Sequence, residues 1–203
     1  MQVKYYTEPC EHIIINNVYT DKELALIWKE LDFIGTDKLL DPKSTGSAFA
    51  KETNTFLKKA KGIFLDDFYG FRDHSYILTY NRKLWSKEVL ACCSKLSGWW
   101  TRFINSNKDY TLINYYENED YYGFHTDDSL FTAITVLYKS PLNYIGGDIV
   151  LKNNREKIIP LSNNSALIFP SHIYHAVQTI KIVDSSINNS GRYSIVQFCS
   201  YNS

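Results

Sequence analysis

The chain has 203 residues, 44% of them hydrophobic, with 22 basic and 22 acidic side chains and a formal charge of zero. That length sustains one domain with a substantial core, and the even charge balance lacks the basic excess of a nucleic-acid or membrane-surface binder. Residues 1–11 are polar, no apolar run is long enough to cross a bilayer, and Cys10, Cys92, Cys93 and Cys199 form no CxxC pair, so a soluble protein in a reduced, cytoplasmic setting is expected.

The β-branched run His-Ile-Ile-Ile-Asn at 12–16 predicts a strand. Thr20-Asp-Lys-Glu23 fits a capping box, and Leu24, Ile27, Trp28 and Leu31 recur at helical spacing up to Gly35. Residues 36–55 are polar, with Asp41-Pro42 and Ser44-Thr45-Gly46-Ser47, and predict a loop. Residues 62–65 predict a strand and 76–80 an extended piece. Leu84, Val89, Cys92, Cys93, Leu96, Trp99, Trp100 and Phe103 form a helical stripe within 84–103, weakened near Gly98.

After Asn107 the pattern changes to short β-rich segments at 110–117, 121–126, 131–138, 148–152, 157–161, 166–169, 174–183 and 192–200. Gly146-Gly147, Asn153-Asn154, Asn163-Asn164 and Asn188-Asn-Ser-Gly191 supply the turns between them. Short strands joined this way predict a mainly β protein with flanking helices and a double-stranded β-helix, or jelly-roll and cupin-like, core. The expected organisation is a single domain over 1–203, with 1–109 as a strand and helical support region and 110–203 as the core.

Within that core, His125-Thr126-Asp127 is followed by His175 and then Arg192. Side chains two apart on an extended segment share a face, so His125 and Asp127 point the same way. A histidine from a distant strand completes a set of two imidazoles and one carboxylate, the facial triad of an open non-haem Fe(II) site. Asp128 competes with Asp127 but leaves the face of His125. His172 competes with His175 but follows Pro170-Ser171 in a turn, whereas His175 opens a strand. His12 and His74 have no partner logic. A structural zinc site would close its tetrahedron with four protein ligands, usually cysteines, and none is nearby in sequence. Arg192, on the next strand, offers a planar fork to a carboxylate.

The segment Asn114-Tyr-Tyr-Glu-Asn-Glu-Asp-Tyr-Tyr-Gly-Phe-His125-Thr-Asp127 resembles the tyrosine strand and HxD motif of the 2-oxoglutarate- and Fe(II)-dependent dioxygenases, in their prolyl 4-hydroxylase-like branch. Residues 132–138 with Gly146-Gly147-Asp148, then 166–171, His175-Ala-Val177 and Gly191-Arg-Tyr-Ser194 are similar to its later motifs, so the likeness covers roughly 110–198. The resemblance implies His125, Asp127 and His175 as iron ligands and Arg192 as the holder of the distal carboxylate of 2-oxoglutarate. It implies Tyr116 as a cosubstrate contact, with Tyr115 as the fallback if the register slips, and Tyr138 as a further hydrogen-bond donor to that carboxylate.

There are departures. The gap from His175 to Arg192 is longer than usual for the branch, which a polar hairpin at 184–190 would account for. Some prolyl hydroxylases use lysine where this chain has Arg192. Phe198 stands where the nucleic-acid demethylase branch has a second arginine, and Asp127 stands where the related halogenases have a small residue. The resemblance therefore implies an oxidoreductase that hydroxylates a C–H bond with Fe(II), 2-oxoglutarate and O2 as cofactors, with ascorbate binding as a further family property. Its expected substrate is a prolyl residue in a protein or peptide. A small-molecule hydroxylase of the same superfamily and a non-enzymatic jelly-roll binding or structural protein are the competing readings. The expected partners are that substrate, with no nucleic acid and no membrane. Abundant Asn, Lys, Ile and Tyr suggest an AT-rich, viral-type genome.

Overall fold

A computed structural model describes residues 1–50 and 52–201. In chain order its strands are β1 (Gln2–Tyr6), β2 (His12–Asn16), β3 (Phe49–Ala50), β4 (Thr55–Phe56), β5 (Lys61–Phe64), β6 (Lys108–Tyr116), β7 (Tyr122–His125), β8 (Phe131–Tyr138), β9 (Tyr144–Gly146), β10 (Ile149–Lys152), β11 (Glu156–Ile159), β12 (Ser165–Pro170), β13 (Tyr174–Val177), β14 (Ile180–Ile182) and β15 (Arg192–Ser200). Helices α1 (Asp21–Ile34), α2 (Leu65–Phe68), α3 (Tyr76–Tyr80), α4 (Lys87–Cys93) and α5 (Thr101–Ile104) fall between β2 and β6.

A seven-stranded sheet in the order β1-β2-β12-β8-β15-β6-β5 faces a four-stranded sheet in the order β11-β10-β13-β7. Every pairing in both sheets is antiparallel. The central strands of the large sheet are covered on both faces, and period-two alternation sorts their side chains. On β15, Tyr193, Ile195 and Cys199 join Ile27, Leu31 and Ile34 of α1 in one core. Val196, with Leu112, Ile134 and Leu167, packs instead against Ile149, Leu151 and Ile159 of the small sheet. Two packed layers with helices behind the larger one make the protein mainly β with a jelly-roll core, the fold class expected from the sequence.

Several local expectations are corrected. Residues 76–80 form helix α3 rather than an extended piece. The Ser75 hydroxyl caps it by accepting from the Leu78 N–H at 3.0 Å, and that local bond outweighs the β-branched and aromatic composition of 76–80. The single stripe within 84–103 is broken into 3-10 turns around α4 and α5, with Ser86 and Ser94 ending helical pieces and Ser97 preceding the next one. The expected loop at 36–55 contains the β3–β4 hairpin, although residue 51 lies outside the described residues. The 174–183 segment divides into β13 and β14, while β1 and β9 carry too weak an alternation to stand out. The 184–190 segment is a run of turns rather than a hairpin with paired strands.

Buried Glu30 of α1 fastens the helical layer. Its carboxylate accepts from the Ser75 hydroxyl at 2.6 Å and the Ile77 N–H at 2.9 Å, tying α1 to the start of α3. Hydrogen bonds to a charged group contribute about 1.5–3 kcal/mol each, so Glu30→Ala should lower unfolding free energy by roughly 2–4 kcal/mol. Urea titration measures this, and a loss below about 0.5 kcal/mol, the range of an ordinary surface substitution, would contradict it.

Candidate metal centre

Strands β7 and β13 are antiparallel neighbours in a register that sets His125 directly opposite His175, with ring centroids 4.2 Å apart. The Nδ1 of His125 lies 2.8 Å from the carbonyl of Gly123, and the Nδ1 of His175 lies 3.0 Å from the carbonyl of Ile173. Each pairing makes Nδ1 the protonated nitrogen and leaves the Nε2 lone pair free to bind.

Asp127 sits just past the end of β7, where its N–H donates to the Ser171 carbonyl at 3.1 Å. Its Oδ1 is 3.5 Å from His125 Nε2 and its Oδ2 is 3.3 Å from His175 Nε2. One ligand atom from each of the three residues lies within 4.8 Å of the other two, a group able to hold a metal ion. The Thr132 hydroxyl of β8 donates to Asp127 Oδ2 at 2.5 Å and aims the carboxylate.

The electrostatics suit a cation. Burial, followed by the neighbouring His175, pushes the His125 imidazole down to about 4, so it is neutral with its lone pair available at pH 7. Burial opposes ionisation of Asp127, but the hydrogen bond and charge of His175, the His125 ring and the Thr132 hydroxyl together hold its carboxyl below the usual range. The competing residues lie elsewhere. Asp128 is exposed at the cleft rim, and exposed His172 packs edge-on against Trp99 at 5.7 Å. His12 is buried against Tyr6, and exposed His74 packs on Phe71.

The triad lines a cleft of about 590 Å³ between the two sheets, with Asn114, Tyr116 and Ser194 of the large sheet forming the facing wall. Arg192 is 1% exposed, and neither of its terminal nitrogens has a hydrogen-bond partner among the described residues. A buried, unpaired guanidinium is costly and calls for an anion. Gly147 leaves room for it, because a Cβ there would lie 3.3 Å from Arg192 Cδ and 2.8 Å from Ile180 Cγ1, and its φ of +73° is itself a glycine conformation.

Arg192 does not line the metal cleft itself. With Tyr138, Tyr144 and Asp148 it lines an adjoining cavity of about 290 Å³. Tyr116 stands between the two spaces: it lines the cleft, and the guanidinium carbon lies 5.4 Å from its ring centroid. Tyr115 is on the opposite face, packed on Tyr193 in the helix-side core with its hydroxyl accepting from the Gly191 N–H, so the one-residue register slip is excluded. The Tyr138 hydroxyl already accepts from the Asn163 N–H at 3.3 Å.

Thr132, Asn114, Tyr122 and Lys58 escaped the sequence reading as site residues. Asn114, Tyr122 and Thr132 lay within the quoted motifs without a role, whereas Lys58 lay outside them; the Tyr122 ring stacks on the His125 imidazole at 3.6 Å. Ser194 lay within a quoted motif but had no assigned role, and its buried hydroxyl has no partner among the described residues.

No protein-family model matches the chain. A PKHD-type hydroxylase from Idiomarina loihiensis is 35% identical over 75 residues, covering 34% of this chain and 34% of the relative, so the match spans about a third of that protein's length. Among solved structures, a Pseudomonas putida prolyl-4-hydroxylase superposes with TM-score 0.60 at 13% identity, covering 95% of this chain and 93% of that one. A prolyl hydroxylase from Trichoplax adhaerens, in complex with a hypoxia inducible factor oxygen degradation domain peptide fragment, gives 0.59 at 16% identity, covering 93% and 83%. OsALKBH1 gives 0.60 at 15% identity, covering 98% and 100%. The chain thus has the fold shared by these structures, and the similarity is as high to OsALKBH1 as to the prolyl hydroxylases.

Partners that orient a ligating carboxylate typically contribute 10–100-fold to metal affinity. Thr132→Val should therefore weaken Mn(II) or Fe(II) binding by roughly that factor while leaving the fold intact. Calorimetric metal titration measures it, and an unchanged affinity would show that the Thr132 hydroxyl does not prepare Asp127 for a cation.

Proposed function

We propose that the protein is a 2-oxoglutarate- and Fe(II)-dependent dioxygenase that hydroxylates a C–H bond, with a prolyl residue in a protein or peptide as substrate. The observation that carries this reading is the combination of an open His125–Asp127–His175 set with a buried guanidinium whose terminal nitrogens have no hydrogen-bond partner among the described residues, on the far side of Tyr116. Two imidazoles and one carboxylate suit Fe(II) and leave coordination positions for other ligands. The planar fork of Arg192 suits the far carboxylate of a dicarboxylic acid.

In this reading His125, Asp127 and His175 hold the iron, and Arg192 holds 2-oxoglutarate with Tyr116 along its length and Tyr138 beside its far end. When bound, Fe(II) and 2-oxoglutarate supply oxidation by O2, with succinate and CO2 as co-products. The protein's own contribution is positional. Thr132 fixes the Asp127 carboxylate, the Gly123 and Ile173 carbonyls fix the imidazole tautomers, and the apolar lining of Ile134, Val177 and Val196 limits water near the metal.

The prolyl assignment is supported by the PKHD-type hydroxylase relative and by the two prolyl hydroxylase structures, one of them with a peptide bound.

Asp127→Ala should abolish succinate release from 2-oxoglutarate in the presence of Fe(II) and a stimulating peptide; full retained turnover would rule out the triad. Arg192→Lys replaces a fork with a point charge, and losing part of a desolvated charge pair costs roughly 2 kcal/mol or more. The variant should need on the order of 30-fold more 2-oxoglutarate for half-maximal turnover. An unchanged requirement would place the far carboxylate elsewhere.

A further inference from the structure

A second cation borders the cleft and has no role in the chemistry above. Lys58 is 3% exposed, and its side chain lines the cleft. Its Nζ donates to Thr45 Oγ1 at 3.1 Å and to Asn114 Oδ1 at 3.0 Å, both neutral oxygens, and lies 5.7 Å from the ring centroid of Tyr122. It forms no ion pair with a carboxylate among the described residues. Burial pulls its ammonium down to about 8, so it remains mostly protonated at neutral pH.

Its position is set by β-structure. Lys58 bridges to Tyr122, the Gly123 N–H donates to the Leu57 carbonyl at 2.8 Å, and the Lys59 N–H donates to the Tyr121 carbonyl at 3.0 Å. The 57–59 segment thus extends the small sheet beyond β7. The Tyr122 hydroxyl accepts from the Ala48 N–H at 3.0 Å, which draws the 45–48 loop over the lysine. Gly46 of that loop is exposed and lines the cleft, as are Thr126 and Asp128, so Lys58 lies just under the solvent-facing rim.

The charges around the two spaces make the lysine informative. Arg192 has the Asp148 carboxylate acting on it in the adjoining cavity. Lys58 has no such partner, since among the described residues its ammonium meets only the neutral oxygens of Thr45 and Asn114 and the ring of Tyr122. Packing alone does not require a cation here, because a neutral side chain could meet Thr45 and Asn114 at lower desolvation cost. Arg192 lies beyond Tyr116 and Lys58 beside Tyr122, so the two cations are available to different ligands.

The geometry points to Lys58 as a specificity residue that binds a carboxylate of the substrate, placing it beside the metal on the rim side of the cleft. This rests on the dioxygenase reading and deepens it. The carboxylate belongs either to a free amino-acid-like molecule or to an acidic side chain next to the target residue in a peptide.

The test uses the full chain, loaded anaerobically with Fe(II) and saturating 2-oxoglutarate, and titrated calorimetrically with two matched probe pairs. The first pair is N-acetyl-L-proline and its amide. The second is acetyl-Gly-Pro-Glu-amide and acetyl-Gly-Pro-Gln-amide. A charge-assisted contact in such a cleft should make the acid of one pair bind about tenfold more tightly than its neutral mate. Which pair shows the preference distinguishes the two sources of the carboxylate. Lys58→Met and Lys58→Gln should both erase the preference while 2-oxoglutarate affinity, titrated separately, stays within about twofold. Two folded variants guard against a trivial loss of structure. Equal binding of acid and amide by the wild type, or a preference that survives both substitutions, would overturn the assignment. So would a collapse of 2-oxoglutarate affinity in both variants, which would make Lys58 a cosubstrate residue. Failure of the wild type to bind 2-oxoglutarate at all would refute the dioxygenase reading itself, independently of Lys58.

Discussion

The antiparallel pairing of β7 with β13 is the constraint on which the site depends. Their register places His125 against His175 across two hydrogen-bonded strands, and the i−2 carbonyls of Gly123 and Ile173 orient both rings alike. Because successive strand residues face opposite ways, a slip of one residue would turn one imidazole out of the cleft. That register is held from outside the site. Val177 of β13 pairs with Ile149 of the neighbouring β10, and Ile149 and Leu151 bury against Leu112, Ile134 and Val196 of the large sheet. The apolar contact between the two sheets therefore also fixes the polar geometry of the triad.

Around the triad the protein arranges charge in an economical way. Two cations flank it, each against a tyrosine ring, Arg192 on Tyr116 and Lys58 beside Tyr122. Neither forms an ion pair at contact distance among the described residues; Asp148 acts on Arg192 from the adjoining cavity, whereas Lys58 meets only neutral oxygens. Protein interiors tolerate this where a ligand completes the pairing. The reading of one cation for the cosubstrate and one for the substrate follows from the positions of the tyrosines: Arg192 opens on the inner cavity, whereas Lys58 lies under the rim loop.

The parts of this arrangement that were legible in the sequence are those governed by short-range pattern. The eight-residue strand Phe131–Tyr138 and the nine-residue strand Arg192–Ser200 fall where the β-rich, turn-bounded pattern puts them. The ordering of His125, Asp127, His175 and Arg192 was visible because each lies in or beside a strand with turn residues around it. Helix α3 was not, because its formation depends on the Ser75 hydroxyl and on Glu30, forty-seven residues from Ile77. Lys58 was invisible for a related reason. It lies in an irregular segment of polar composition, and its significance comes from Asn114 and Tyr122, which only the folded sheet brings to it. Arg192 was legible as a fork for a carboxylate, but its separation from the metal cleft by Tyr116 was not, because side-chain packing between two sheets leaves no periodic trace.

The most direct measurement is an anaerobic titration of the protein with Fe(II) and 2-oxoglutarate, followed by visible absorption. Chelation of the 2-oxo acid to iron held by two histidines and one aspartate should produce a metal-to-ligand charge-transfer band that saturates at one equivalent of each. Saturating Fe(II) and 2-oxoglutarate that give no such band, with the protein still folded by circular dichroism, would contradict the account.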